Sequence, residues 1–493
     1  MDNIDPQEIR SRAAQGNRLL LMRQVLVQIA TFAGGIFLAR ILSPEEIGLF
    51  AIAAFIIGIF GFLGDLGLGA SLIQRKDSIN DGDLQLTFTL QLILFILLMA
   101  PLVALAPCIA ALYPGTPPDF PLMIKVMAVS LLLNSWRSIS FVQMERRLVF
   151  GKPALIETVE ALLYQCLAVL LAFKGFGVWS FIWAYLLRST AGAALAYVFA
   201  PWPFRLRLNW FDGRKLLRFG LPYQYQLIIN HLTSAVIPAL VGIFTGSAAV
   251  GLLTWALSLA TKPLMLVDII SRVSFPMFSR LQHEQGALDK ALTRYLTWVN
   301  LVNVLWAAVI ICSARELVEI IYTAKWLDAV PALIIFSAAI PFHSFIWLVA
   351  VSLNARARLS LVNWITSLRA LTYWLSSIAL LSLLGYNGVA VSNLVVNILL
   401  LALLLYLAGR NYLRLLAEGC WIFLAGFITV VSGLAIKKAL LYLFNLDTGI
   451  MALVMILAVC CCYAVTIYLL APPWVKNELS IWFEKELARR AKD

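Results

Sequence analysis

Apolar runs of about 20 residues, broken by short stretches of Gly, Pro and charge, recur from Leu19 almost to the C-terminus. At 1.5 Å per residue such a run is long enough, as a helix, to cross a hydrocarbon core about 30 Å thick. About fourteen runs are distinguishable, beginning near Leu19, Glu46, Leu84, Phe120, Pro153, Gly177, Leu221, Val250, Ala291, Val330, Leu359, Asn387, Leu416 and Gly449. The pattern predicts an all-α polytopic membrane protein, and an even number of spans puts both termini on one side.

Composition sharpens this reading. Of 493 residues 62% are hydrophobic and 13% charged, and the mean hydropathy of +0.88 excludes an ordinary soluble domain. The polar start, Met1 to Asn17, leads into an apolar stretch too long for the core of a signal peptide, so the first span is expected to be retained. Cys108, Cys166, Cys312, Cys420 and Cys460 to Cys462 sit in or beside apolar segments without zinc-binding spacing, and read as small core residues.

The net charge of +12 raises the question of nucleic acid, which the placement of the cations answers. Most of the 38 Lys and Arg residues fall in one set of alternate loops and the two terminal segments. The opposite loops hold only Arg40, Lys174, Arg315, Lys325, Lys437 and Lys438. By the positive-inside rule both termini are cytoplasmic, and no nucleic-acid partner is expected. The longest cytoplasmic loop, Pro201 to Phe219, is basic and aromatic, as suits a linker lying on anionic membrane lipids.

An internal repeat organises the spans. Ile47-Gly48-Leu49 corresponds to Val250-Gly251-Leu252, the same offset pairs Asp65 with Asp268, and it pairs Gln28 with His231. Six spans separate the copies, so the halves are parallel repeats about an axis along the membrane normal. The expected architecture is two six-helix bundles around a central cavity, residues 1–200 and 220–410, joined by the linker 201–219. Residues 411–493 add two further helices and a basic cytoplasmic tail.

Charges within spans are costly, at least about 2.5 to 3.5 kcal/mol each on insertion scales, and therefore mark candidate sites. Arg23, Lys125 and Arg272 lie near span ends, from which their side chains reach the interface. Arg188 and Arg369 lie near mid-span, Arg137 is flanked by Asn134, Ser135 and Ser138, and Lys262 precedes Pro263. Only Asp65, Glu157, Glu160 and Asp268 stand against them, so a positive, water-filled cavity suited to an anionic substrate is expected. Arg137, Arg188, Lys262 and Arg369 are the candidate substrate-binding residues. Asp65 and Asp268 are candidate ion-coupling residues, with pairing to a neighbouring cation as the alternative. Glu157 and Glu160 read as complements to a helix dipole, and His231 as a hydrogen-bonded core histidine or a cavity residue.

No phosphate-binding loop and no His-Glu-x-x-His motif is present, and no catalytic residue, metal or cofactor is expected. Asp81-Gly82-Asp83 mimics a glycosyltransferase metal motif but has no nucleotide-binding domain around it.

Several segments together carry a family likeness. They are Leu38-Ala39-Arg40-Ile41-Leu42-Ser43-Pro44-Glu45-Glu46-Ile47-Gly48, Gly64-Asp65-Leu66-Gly67-Leu68-Gly69-Ala70, Ile73-Gln74-Arg75-Lys76, Leu217 to Pro222, Phe275 to Leu281 and Lys325 to Pro331. The chain resembles bacterial polysaccharide transporters, in particular the colanic-acid and succinoglycan-type exporters of the multidrug/oligosaccharidyl-lipid/polysaccharide superfamily. The resemblance implies a flippase, not an enzyme, that moves undecaprenyl-pyrophosphate-linked oligosaccharide units across the bacterial inner membrane by alternating access for exopolysaccharide synthesis. It also implies an anionic lipid-linked oligosaccharide as partner, with polymerase and export machinery as further ones. One departure stands out: the family pattern has an Asp and an Arg around Ile237 to Ile243, where this chain has neither. The rival readings are a drug or cation antiporter of the same fold, which would want surplus acid in its cavity, and a component of a polysaccharide polymerase complex.

Overall fold

The computed structural model describes residues 26–75, 79–147, 149, 151–208, 227–265, 267, 285–356, 358–408, 410–443, 447–478 and 480–481. Every regular element among them is helical. The first unit, Met1–Thr254, contains α1 (Leu26–Ile41), α2 (Pro44–Asp65), α3 (Leu68–Gln74), α4 (Asp81–Ala111), α5 (Phe120–Arg146), α6 (Gly151–Phe173), α7 (Trp179–Phe199), α8 (Leu227–Thr245) and most of α9 (Ser247–Ala260). The second unit, Trp255–Asp493, contains α10 (Gln285–Ile321), α11 (Val330–Ala355), α12 (Leu359–Leu384), α13 (Asn387–Ala408), α14 (Arg410–Leu443) and α15 (Thr448–Leu470).

Among the described residues 12 helices are long and apolar enough to cross a membrane. The expected first and eighth spans appear as the shorter apolar helices α1 and α9, so the count of fourteen is not reached among the described residues. Residues 1–25 and 268–284 lie outside them, and with them Arg23, Asp268, Arg272 and His283.

Local sequence explains where the helices of the first unit begin and stop. At the start of α2 the Ser43 hydroxyl accepts from the Glu46 amide at 3.2 Å, and the Glu46 carboxylate accepts from the Ser43 amide at 2.8 Å. Pro44 follows in the first turn, where its missing N–H costs nothing. The helix stops at Leu66 and Gly67, both with positive φ, 45° and 69°. Asn80 and Asp83 form the same reciprocal cap for α4, at 2.9 and 3.1 Å, and Asp83 also pairs with Arg75 at 2.8 Å. The Asp81-Gly82-Asp83 stretch is therefore a helix start.

The basic linker begins as extended chain along α4. The Gln85 side-chain amide donates to the Pro203 carbonyl at 3.2 Å and the Arg207 amide to the Thr89 hydroxyl at 3.0 Å. Trp202 is buried against Phe88, and Phe204 stacks on Trp136 with centroids 4.9 Å apart. Trp202 is thus taken up wholly by protein packing and Phe204 in part, while Arg205 and Arg207 stay exposed. Residues 209–219 lie outside the described residues.

In the second unit the last two spans dock on α10. That helix breaks at Ser313 (φ −127°, ψ 15°), and Lys437 of α14 donates to the Cys312 carbonyl at 3.0 Å and pairs with Glu316 at 2.8 Å. Met451, Met455 and Val459 of α15 close a core with Ala308 and Cys312. The turn after α10 holds Thr323 at φ 89°, and next to it Trp326 stacks on Trp255 at 4.9 Å. All seven cysteines are free thiols.

Candidate functional site

Four helices of the first unit turn polar side chains into one cavity of about 410 Å³. Asp65 comes from α2, Ser130, Asn134 and Arg137 from α5, Glu160 from α6, and Tyr185, Arg188 and Ser189 from α7, with Leu227 of α8 closing a side. A second cavity of about 290 Å³ shares Asp65, Asn134 and Arg137, and continues along Gln91, Ser138, Phe141 and Glu145. In a membrane, a polar hollow of this kind is a functional feature by default.

Arg137 lies at the junction of the two hollows, held on both sides. Its Nε donates to Glu160 Oε1 at 2.8 Å and its Nη2 to Oε2 at 3.3 Å, a fork-on-fork geometry. Its guanidinium also lies 4.0 Å from the Phe141 ring centroid. Glu160 is 4% exposed and fits only because α7 has glycine at its contact point. A methyl group on Gly192 would overlap the Glu160 carboxylate. The expectation that Glu160 merely complements a helix dipole is thus corrected: it is the buried counter-ion of Arg137. The dipole argument considered only its own helix, and the partner lies 23 residues away on another.

Asp65 accepts from the Gln91 side-chain amide at 2.7 Å, and Gln91 also donates to the Ser138 hydroxyl at 3.2 Å. Arg188 is placed differently. Its guanidinium carbon lies 5.9 Å from the centre of the Tyr164 ring, and among the described residues it has no carboxylate partner. An aromatic face leaves the charge unneutralised, so Arg188 is the cation of this cavity that can receive an anion.

The structure therefore brings Asp65, Arg137 and Arg188 together in one hollow and adds Glu160, which makes two cations and two carboxylates there. The expected surplus of positive charge is therefore not found in this hollow, where the charges balance, and Arg188 is its cation without a direct carboxylate partner among the described residues. Lys262 and Arg369 belong to the second unit. Lys262 sits in a turn after α9, half-buried and engaged by a neighbour. Arg369 is half-buried on α12 near Tyr373 and near His343 of α11, with no carboxylate partner among the described residues. Lys125 is half-buried on α5, outside both hollows. His231 packs between Phe55 and Phe62, at centroid distances of 5.7 and 4.8 Å, and its Nε2 has no hydrogen-bond partner among the described residues. The stretch around Ile237 to Ile243 includes an apolar π-helical turn, Val236–Val241. Among the described residues no three His, Cys, Asp or Glu side chains come together in a metal-binding group.

Glu160, Gln91, Tyr164 and Gly192 are absent from the sequence-based site. The polar face Asn134, Arg137, Ser138 on α5 signalled that something faced it, but nothing local in the sequence named the partner.

The chain's likeness to known proteins agrees with this frame. It is 25% identical over 300 residues to the lipopolysaccharide biosynthesis protein WzxC of Escherichia coli K12, covering 60% of each chain. It is also 25% identical over 303 residues to the succinoglycan biosynthesis transport protein ExoT of Rhizobium meliloti, again 60% of each, and 24% identical over 279 residues to the teichuronic acid biosynthesis protein TuaB of Bacillus subtilis, 55% of this chain and 56% of the relative. The chain thus matches less than two thirds of the length of these relatives. In fold it is similar to the lipid II flippase MurJ in an inward closed conformation, with a TM-score of 0.74 at 14% identity over 91% of this chain and 97% of that one. An inward-facing multidrug resistance transporter of the MATE family is similar at 0.61 and 16% identity, over 81% and 98%. The family model described as polysaccharide biosynthesis protein matches residues 37–331, more than half of the chain, and the chain belongs to that family.

Proposed function

We propose that this chain is a flippase that carries undecaprenyl-pyrophosphate-linked oligosaccharide units across the bacterial inner membrane by alternating access, supplying exopolysaccharide synthesis. The observation that carries the reading is Arg188, an arginine inside a membrane-embedded hollow whose partner is an aromatic ring and not a carboxylate. A pyrophosphate or a uronic acid carboxylate matches guanidinium geometry and supplies the missing counter-charge. The similarity to WzxC, ExoT and TuaB, proteins of lipopolysaccharide biosynthesis, succinoglycan transport and teichuronic acid biosynthesis, favours a lipid-linked glycan over a drug as cargo.

In this reading Arg188 and Arg369 contact the anionic part of the cargo. Arg137 shapes the hollow, held by Glu160, and reaches the cargo only by leaving that pair, while Lys262 acts from the turn after α9. Asp65 and its repeat partner Asp268 are the places where a proton or sodium ion would be coupled. The loop charges favour cytoplasmic termini, and the internal repeat favours two six-helix bundles of residues 1–200 and 220–410 with the linker 201–219 between them, and residues 411–493 as two added spans and a tail. Polymerase and export machinery are the expected downstream partners.

The test is transfer of a fluorescent undecaprenyl-pyrophosphate oligosaccharide across proteoliposome membranes. Wild type is expected to flip it, and Arg188→Ala and Arg369→Ala at matched folded protein are expected to abolish flipping. An inert wild type sinks the substrate class, and active variants sink the arginine assignment.

A further inference from the structure

Gly48 on α2 and Gly251 on α9 occupy equivalent places in the two repeats, and the structure puts them in mutual contact. A Cβ on Gly48 would overlap the Ser247 carbonyl oxygen, and a Cβ on Gly251 would overlap the Pro44 carbonyl oxygen. Each carbonyl belongs to the residue four positions before the opposing glycine. The same reciprocity holds one atom further on: the Gly48 Cβ position lies 2.9 Å from the Gly251 nitrogen, and the Gly251 Cβ position 3.1 Å from the Gly48 nitrogen. Two helices crossing in this manner sit on a local two-fold axis, with backbone against backbone. No side chain but hydrogen fits at the crossing, which is the close approach that small residues permit between membrane helices.

What holds the crossing is also informative. Among the described residues no side-chain hydrogen bond or ion pair joins α2 to α9, so the contact rests on packing and Cα–H···O approach. Such a contact is short-ranged and leaves no buried polar group orphaned when it parts, whereas the Arg137–Glu160 pair would leave two. The crossing lies near the N-terminal ends of both helices, Pro44 and Ser247, and the loop charges assign those ends to the periplasmic side.

We propose that the Gly48–Gly251 crossing is a latch closing the periplasmic side of the protein, which must part for cargo to leave there. The proposal rests on the flippase reading for its sidedness, but its test needs no cargo. With the seven native cysteines replaced by alanine, Ser189→Cys reports access to the hollow from outside the cell by a membrane-impermeant maleimide. Gly48→Ala and Gly251→Ala are each expected to raise the labelling rate at least several-fold, and the double variant no further, because either methyl breaks the one shared contact. Gly35→Ala, with open space around it, should keep the parent rate. Unchanged labelling in both single variants, or a double variant with the product of their effects, overturns the latch.

Should the alanine variants fail to fold, a spin-label pair at the exposed sites Glu45→Cys and Ala248→Cys leaves both glycines in place. Two separations are then expected, one short and one longer, in liposomes with or without undecaprenyl pyrophosphate. A single short separation under both conditions contradicts the proposal. An inactive wild type in the flipping assay would sink the cargo reading alone, since labelling and separation are read without transport.

Discussion

Removing one side chain of the Arg137–Glu160 pair should be far worse than removing both. Glu160 is 4% exposed and has two contacts to Arg137, at 2.8 and 3.3 Å. Arg137→Met leaves that carboxylate in a low-dielectric site without its counter-ion, and breaking a buried pair in this way costs about 3 to 5 kcal/mol. Arg137 is less enclosed, with 25% of its side chain accessible, so Glu160→Leu leaves a cation that water in the hollow partly solvates, and about 2 kcal/mol is expected. The double variant replaces both charges by apolar groups of similar length and should lie within about 1 kcal/mol of wild type. The implied coupling energy is about 4 to 7 kcal/mol, well above the roughly 0.5 kcal/mol scatter of independent sites. Unfolding by a denaturing detergent in mixed micelles, followed by helical circular dichroism, measures all four proteins. Additive single-variant effects, or a double variant as unstable as the worse single one, would refute the pairing as the organiser of this hollow.

Thr323→Gly should stabilise the second unit by about 1 kcal/mol, because a β-branched residue at φ 89° is strained and glycine there is not; a loss of thermal stability in detergent contradicts it. Ser43→Ala should destabilise by about 1 kcal/mol through loss of the α2 cap, and Ser43→Asp should recover most of it in the same melt.

The spans were legible in the sequence because hydropathy is a local sum. Helices starting at Phe120, Leu359 and Asn387 begin on the expected residue, and most others within a few positions. The repeat was legible too, since Gly48 and Gly251 carry the same backbone constraint in both copies. The contents of the hollow were legible only in part. Asp65, Arg137 and Arg188 stood out as charges in apolar runs. Glu160 did not, because its helix begins with several residues that an interfacial carboxylate also suits, and its meaning is set by an arginine on α5 and a glycine on α7. Charge counted along spans therefore overstated the positive surplus in the first unit, since it could not pair charges across helices. The metal-like Asp81-Gly82-Asp83, already set aside for want of a nucleotide-binding domain around it, serves instead as a helix start, with Asp83 capping α4 and pairing with Arg75.

The most direct test of an unneutralised Arg188 is the affinity of purified protein for undecaprenyl pyrophosphate compared with uncharged undecaprenol, for wild type and Arg188→Gln. A charge-assisted contact of about 1.5 to 3 kcal/mol corresponds to roughly a 10- to 150-fold loss of affinity for the pyrophosphate, with binding of the neutral polyprenol unchanged. Equal affinity of wild type and variant for the charged lipid would contradict the account.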